Sequence, residues 1–262
     1  MTPPRWREPP SPRRLSPNLD LHSGLPMHLH AVSAAALAAV LACARPAAPP
    51  AADSAATSAP VSDTTGWRSL FDGRTTAGWR GFRMDSMPAG WTVVDGALTR
   101  TGEGGDIITT DQFADFELEL EWKVAPGGNS GIMYRVTEDA ERTYHTGPEM
   151  QVLDDAGHQD GGARLTAAGS AYGLYAAPAG VVKPAGEWNA VRIVVRGRHV
   201  EHWLNGVKAV EYELGSPDWE AKVKASKFTE WPGYGRSPRG HIALQDHGDL
   251  VAYRNIRIRE LP

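Results

Sequence analysis

In Phe116-Glu117-Leu118-Glu119-Leu120-Glu121-Trp122, apolar and acidic residues alternate without a break. A period of two puts the apolar side chains on one face and three carboxylates on the other, the pattern of a half-buried strand. The same reading extends downstream. Trp91-Thr92-Val93-Val94 and Ala97-Leu98 flank Asp95-Gly96, while residues 199–204 and 207–212 flank Asn205-Gly206. Both dipeptides suit the positive φ angles of two-residue hairpin turns. β-branched runs at 191–195 and 251–258 add two more strands. Only 216–224 reads as a helix, with Ser216 as its N-cap and Pro217 in the first helical position. Many short strands with one short helix predict an all-β fold, an antiparallel β-sandwich.

This pattern belongs to only part of the chain. Of 20 prolines, 11 lie in the first 65 residues, whereas eight of nine tryptophans follow them. Residues 66–262 therefore make the expected folded domain. A net charge of −4 with no basic stripe argues against nucleic acid as a partner. The single cysteine rules out an intramolecular disulfide framework and a thiolate zinc cluster.

The N-terminal region divides further. Residues 1–26 are rich in Pro and Arg without hydrophobic period, and Met27 is expected to be the true start. An apolar run of about 12 residues, 31–42, is too short to span a bilayer and fits the core of a secretory signal. It ends Val40-Leu41-Ala42-Cys43, which resembles a bacterial lipobox with Cys43 as the lipidated residue. Ala44 follows, and by resemblance to lipoprotein sorting the implied anchor is the outer membrane, at the cell envelope. Residues 1–43 are thus read as extension and signal peptide, and the Ala/Pro-rich stretch 44–65 as a linker.

Three segments of the domain hold candidate chemistry. In His241-Ile242-Ala243-Leu244-Gln245-Asp246-His247, a regular strand would turn His241, Gln245 and His247 away from the apolar face. In 143–154, inward Met150 and Val152 turn Glu149 and Gln151 outward, and Asp154 opens a loop. A glutamate can act as general acid or base if burial raises its pKa. Gly127-Gly128-Asn129-Ser130-Gly131 leads into a strand carrying Arg135, a good donor to sugar hydroxyls or to a carboxylate. Trp231, in a turn-rich loop with Tyr234, offers a ring for stacking on a sugar. The Glu117/Glu119/Glu121 row superficially resembles the carboxylates of retaining β-glucanases. Residues i and i+4 of a strand lie about 13 Å apart, however, and that chemistry needs about 5 Å. The row reads as a solvated face. Six histidines in the domain permit a metal, but no paired spacing demands one, so no cofactor is expected and a divalent ion stays open.

Taken in order, these segments resemble the 3-keto-disaccharide hydrolase domain family. The resemblance rests on Gly66-Trp67-Arg68-Ser69-Leu70-Phe71-Asp72-Gly73 with Gly78-Trp79, Gly128-Asn129-Ser130-Gly131-Ile132-Met133-Tyr134-Arg135, and Thr146-Gly147-Pro148-Glu149-Met150-Gln151-Val152-Leu153-Asp154. It continues through Lys183-Pro184-Ala185-Gly186-Glu187-Trp188-Asn189, His202-Trp203-Leu204-Asn205-Gly206, Ser226-Lys227-Phe228 and 240–248, with Arg254-Asn255-Ile256. It implies a jelly roll of the concanavalin A-like lectin/glucanase type, acting on a 3-keto-glycoside substrate. A C3 ketone acidifies the C2 proton, so one base can start a β-elimination that water then completes. The implied base is His247 or Glu149. Arg135, Gln151, Gln245 and Lys227 would bind the ketosugar, with Asn129, His145, Asp154 and Trp231 completing the contact set. The stretch 155–170, rich in Gly and Ala, departs from the family pattern and puts the fine substrate preference in doubt. The competing readings are a non-catalytic carbohydrate-binding lipoprotein and an ordinary glycoside hydrolase.

Overall fold

The computed structural model describes residues 66–262; Cys43, the signal segment and the linker lie outside the described residues. Thirteen strands build two antiparallel sheets. The larger takes β1 (Arg68–Ser69), β3 (Trp91–Val94), β4 (Ala97–Arg100), β6 (Phe116–Val124), β9 (Asn189–Arg196), β10 (His199–Leu204), β11 (Val207–Glu213) and β13 (Val251–Glu260). Its order is β11-β10-β9-β6-β13-β4-β3, with β1 beside β13. The smaller runs β2 (Trp79–Gly81), β5 (Ile107–Thr109), β12 (His241–Leu244), β7 (Asn129–Val136) and β8 (Glu149–Leu153). Because β5, β12 and the β7–β8 pair return to one sheet between visits to the other, the smaller sheet is completed only by β12 and the larger only by β13. The expected antiparallel β-sandwich is the observed fold.

The turns follow from the residues proposed for them. Asp95 and Gly96 adopt φ of 51° and 75°, Asn205 and Gly206 51° and 83°, so both hairpins close through left-handed pairs. The helix α1 (Pro217–Lys224) begins where Ser216 Oγ accepts from Trp219 N at 3.2 Å, a cap worth about 1 kcal/mol. Its Trp219 is fully buried, stacked between Tyr212 and Tyr234.

Apolar residues from the inner faces, among them Leu98, Phe116, Leu118, Ile132, Met150 and Ile193, fill the core. The glutamate row of β6 does point outward, but it meets arginine as much as water. Glu119 binds Arg257, Glu121 binds Arg254 and Asn255, and Glu117, only 8% exposed, sits between Arg192 and Arg259. These cross-strand pairs neutralise the row.

Candidate active site

The candidate residues gather on the outer face of the smaller sheet. Pairing sets Gly131 opposite Gln151 and Met133 opposite Glu149, so these four side chains share that face. Met133, Val136, Ile108 and Ala243 form a small apolar patch there, packed by Phe82 and Tyr144. Beside it lies Glu149, buried, with its carboxyl directly over Gly131. A Cβ at position 131 would stand 2.1 Å from Glu149 Oε1, so only glycine admits this placement.

Burial holds the Glu149 carboxyl far above its usual range, up to about 8; the Lys227 charge pulls it down and the Asp106 charge pushes it up. At neutral pH the group therefore keeps its proton. Its neighbours are unsatisfied. Both polar atoms of the Gln151 amide and the Asn129 Oδ1 are buried with no hydrogen-bond partner among the described residues. Buried amides of this kind ordinarily find a partner, and strand pairing puts Gln151 on the same face as Glu149. Gln245 continues β12 opposite Gly131, its backbone amide donating to the Gly131 carbonyl at 3.0 Å.

Lys227 leads into the short turn Lys227–Glu230, where its ammonium lies 4.6 Å from the Tyr172 ring centre and 5.7 Å from that of Tyr144. His247 is exposed, edge-on to His158 at 6.3 Å. Asp246 holds the His247 loop in place. Its carboxylate takes Arg100 Nε at 2.6 Å and the backbone amides of Gly104, Gly105 and Gly248 at 3.0–3.1 Å. His145 lies flat on Trp231, with ring centres 4.4 Å apart, beside a neighbouring groove.

Two expected contacts lie elsewhere. Arg135 is the φ +54° residue of a bulge in which Tyr134 and Arg135 together oppose Ile242. The bulge breaks the alternation, and the guanidinium binds the Ala114 carbonyl (3.1 Å) and Asp115 (3.2 Å) instead of the site. Asp154 is a loop brace, accepting from Gly127 N at 2.8 Å and Ala156 N at 3.2 Å. His241 keeps the face of Ala243, the two pairing with Val136 and Met133 of the apolar patch, but its buried ring donates to the Thr109 carbonyl at 2.7 Å and approaches Gln112. Sequence reasoning missed Asp106, Tyr172 and His158. Asp106 is half-buried; desolvation raises it above its ordinary range, and both its oxygens are taken, by Thr143 and by the Asp246 amide. It acts on Glu149 as a fixed charge.

Two other places invite comparison. A groove of roughly 1050 Å3 crosses the outer face of the larger sheet, lined by Trp67, Trp203 and the Glu119/Glu121 pairs. It is the more spacious cavity. Burial pushes Glu121 up, but hydrogen bonds from Arg254 and Asn255 outweigh it and leave the group below its usual range, with no proton to give. The proton chemistry favours the smaller sheet. Among the described residues, one cluster offers three close metal donors: His199, Glu201 and Glu211 on β10 and β11. Lys208 already bonds both glutamates there, which supplies the positive charge a cation would bring.

The sequence matches the family of 3-keto-alpha-glucoside-1,2-lyase-like domains over residues 66–259. The chain belongs to this family. A curated member, the 3-keto-disaccharide hydrolase of Bacteroides thetaiotaomicron, is 38% identical over 231 residues, covering 76% of this chain and 80% of the relative. Among solved structures, a proposed glycosyl hydrolase from Parabacteroides distasonis is 33% identical with a TM-score of 0.70, covering 76% of this chain and 95% of its own. A second from the same organism is 32% identical with a TM-score of 0.59, covering 74% and 99%. Membership places this chain among glycoside hydrolase-like enzymes.

Proposed function

We propose that the protein hydrolyses 3-keto-glycosides by elimination across C1–C2 followed by hydration. The observation that carries this reading is the Glu149 carboxyl, protonated at neutral pH and placed among unpartnered amides. The family's 1,2-lyase-like description and the relative's 3-keto-disaccharide activity agree with it.

The proposed steps use this chain's own groups. His247 takes the proton from C2, and the electron pair moves toward the C3 ketone oxygen. The Gln151 and Gln245 amides and the Lys227 ammonium stabilise the charge growing there. The C1–O bond then breaks, and Glu149 gives its proton to the departing oxygen. An alcohol leaves, and the sugar retains a C1=C2 double bond conjugated with the ketone. Water next adds at C1, giving its proton to the Glu149 carboxylate, while the His247 imidazolium returns a proton to C2. One water is consumed and both residues are restored. Glu149 serves as the acid because burial keeps it neutral; His247, exposed to solvent, is assigned as the proton acceptor.

The cell envelope is the proposed location, through lipidation at Cys43. Radiolabelled palmitate incorporated into the wild type and lost in Cys43→Ser is the expected result; equal labelling would remove the anchor from the account.

Activity is tested with paired substrates, a p-nitrophenyl 3-keto-glucoside and its unoxidised parent. The expected result is release from the ketone alone. In Glu149→Gln, turnover of an alkyl 3-keto-glucoside should fall by about 10²–10⁴, the worth of a general acid. The p-nitrophenyl compound, whose leaving group needs no proton, should fall much less. Turnover of the unoxidised parent would make the protein an ordinary glycosidase, and binding without turnover a carbohydrate-binding module.

A further inference from the structure

The hairpin of β10 and β11 gathers a second group of titratable side chains on the larger sheet, and none of them takes part in the reaction above. His199 and Glu201 stand two apart on β10, Glu211 and Glu213 two apart on β11. The register sets His199 opposite Glu213 and Glu201 opposite Glu211. The four side chains therefore share one face at the edge of the sheet, where β11 is the last strand. None belongs to the core; His199 and Glu201 are half-buried, Glu211 and Glu213 exposed.

Hydrogen bonds aim the donor atoms at one another. Glu213 Oε1 lies 2.8 Å from His199 Nδ1, and since a carboxylate only accepts, Nδ1 carries the proton. Trp203 Nε1 donates to Glu201 Oε2 at 2.7 Å, which leaves Oε1 for the imidazole. His199 Nε2 then stands 3.4 Å from Glu201 Oε1 and 3.5 Å from Glu211 Oε1. In the neutral ring Nε2 is an acceptor too, so three acceptors converge with no hydrogen shared among them. A second ring proton would serve one oxygen; a metal ion serves all three atoms. The spacing fits zinc, whose bonds of about 2.0–2.2 Å in a tetrahedron put neighbouring ligand atoms about 3.3–3.5 Å apart. The donor atoms all lie within 4.8 Å of one another, a span that a turn of the exposed Glu211 side chain closes. Glu213 on Nδ1 is the outer carboxylate that zinc-bound histidines ordinarily carry. Lys208 brings one positive charge against three carboxylates, and it bonds Glu211 through Oε2, leaving Oε1 to His199. We propose that His199, Glu201 and Glu211 bind a zinc ion, with water as the fourth ligand, that clips the edge strand β11 to β10. Three donors including an imidazole are a poor match for calcium or magnesium, which take about six or more oxygens.

Isothermal titration of ZnCl2 into the full chain, stripped of metal with a chelator, tests the site. The expected result is a zinc ion bound about tenfold or more tighter than calcium under the same conditions. Glu213→Ala should weaken zinc binding about 10–100-fold, the usual cost of losing an outer-shell partner, and His199→Gln should weaken it at least as much. Lys208→Met should bind zinc about fivefold more tightly, because a competing positive charge is gone; a misfolded variant could not show that gain. At free zinc a hundredfold above Kd, the thermal midpoint of the wild type should rise by about 5 °C or more, and that of His199→Gln should stay where it is. The chain has nine histidines, so zinc held elsewhere would bind wild type and His199→Gln alike. That result overturns the site, as do calcium binding as tight as zinc, no zinc binding at all, or an unchanged affinity in Lys208→Met.

Discussion

Gly131→Ala isolates the placement of Glu149 from everything else in the fold. Gly131 lies in β7 outside the positive-φ region, so an alanine backbone fits there without strain. The whole cost falls on the side chain above it. The new methyl would sit 2.1 Å from Glu149 Oε1, 2.7 Å from Cδ and 2.9 Å from Cγ, where ordinary contact begins near 3.4 Å. The carboxyl must move by about 1 Å or more, and a displacement of that size can cost about 10²-fold in rate. Overpacking a filled site costs about 1–3 kcal/mol, partly offset by the lower chain entropy of alanine. The expected variant is folded, slightly destabilised, and about 10²-fold slower in kcat/KM on an alkyl 3-keto-glucoside. Combining it with Glu149→Gln should add little, since both changes remove the same proton donor. Turnover and urea denaturation measured on the single and double variants make the test. Wild-type kcat/KM in Gly131→Ala, with Glu149→Gln inactive, would refute the placement argument.

Other residues give independent checks. Asp246→Ala leaves the buried Arg100 without its carboxylate partner and frees three loop amides; urea midpoints should show a loss of about 3–5 kcal/mol. Arg135→Ala should lower stability, because its guanidinium braces Ala114 and Asp115, while leaving KM for the ketoglycoside within twofold of wild type. A tenfold rise in KM would return Arg135 to the site. Glu149 holds its proton up to about 8 in the fold, against an ordinary value of 4.5. The native state thus binds the extra proton between those values, and stability is complete below them. It should fall as pH rises through 4.5–8, by up to about 1.4 kcal/mol per unit. Glu149→Gln should flatten that slope, and identical slopes in both proteins would contradict the buried, protonated assignment.

Much of this was legible from the chain because strand alternation is a local property. Met150 and Val152 alternating with Glu149 and Gln151 were enough to turn the acid and the amide outward, and the Asp-Gly and Asn-Gly turns marked two hairpins. Ser216-Pro217 announced the helix in the same way. What failed was the assumption that alternation continues. The bulge at Arg135 shifts the phase of β7, moving Arg135 away from the position that a regular period assigns it. Nothing in Met133-Tyr134-Arg135-Val136 signals it. Asp106 was illegible for another reason: its importance comes from Thr143 and the Asp246 backbone, 37 and 140 residues away. Gly131 was visible as a glycine, but the need for it depends on a side chain from the neighbouring strand.

The central claim is that C1–O cleavage proceeds through loss of the C2 proton. The most direct measurement is wild-type turnover of a 3-keto-glucoside in D2O, with NMR of the released sugar before free ketosugar exchanges. The account predicts deuterium at C2 in each product molecule, delivered by His247 as water adds at C1. Protium retained at C2 through complete turnover would mean direct displacement at C1 and would contradict it.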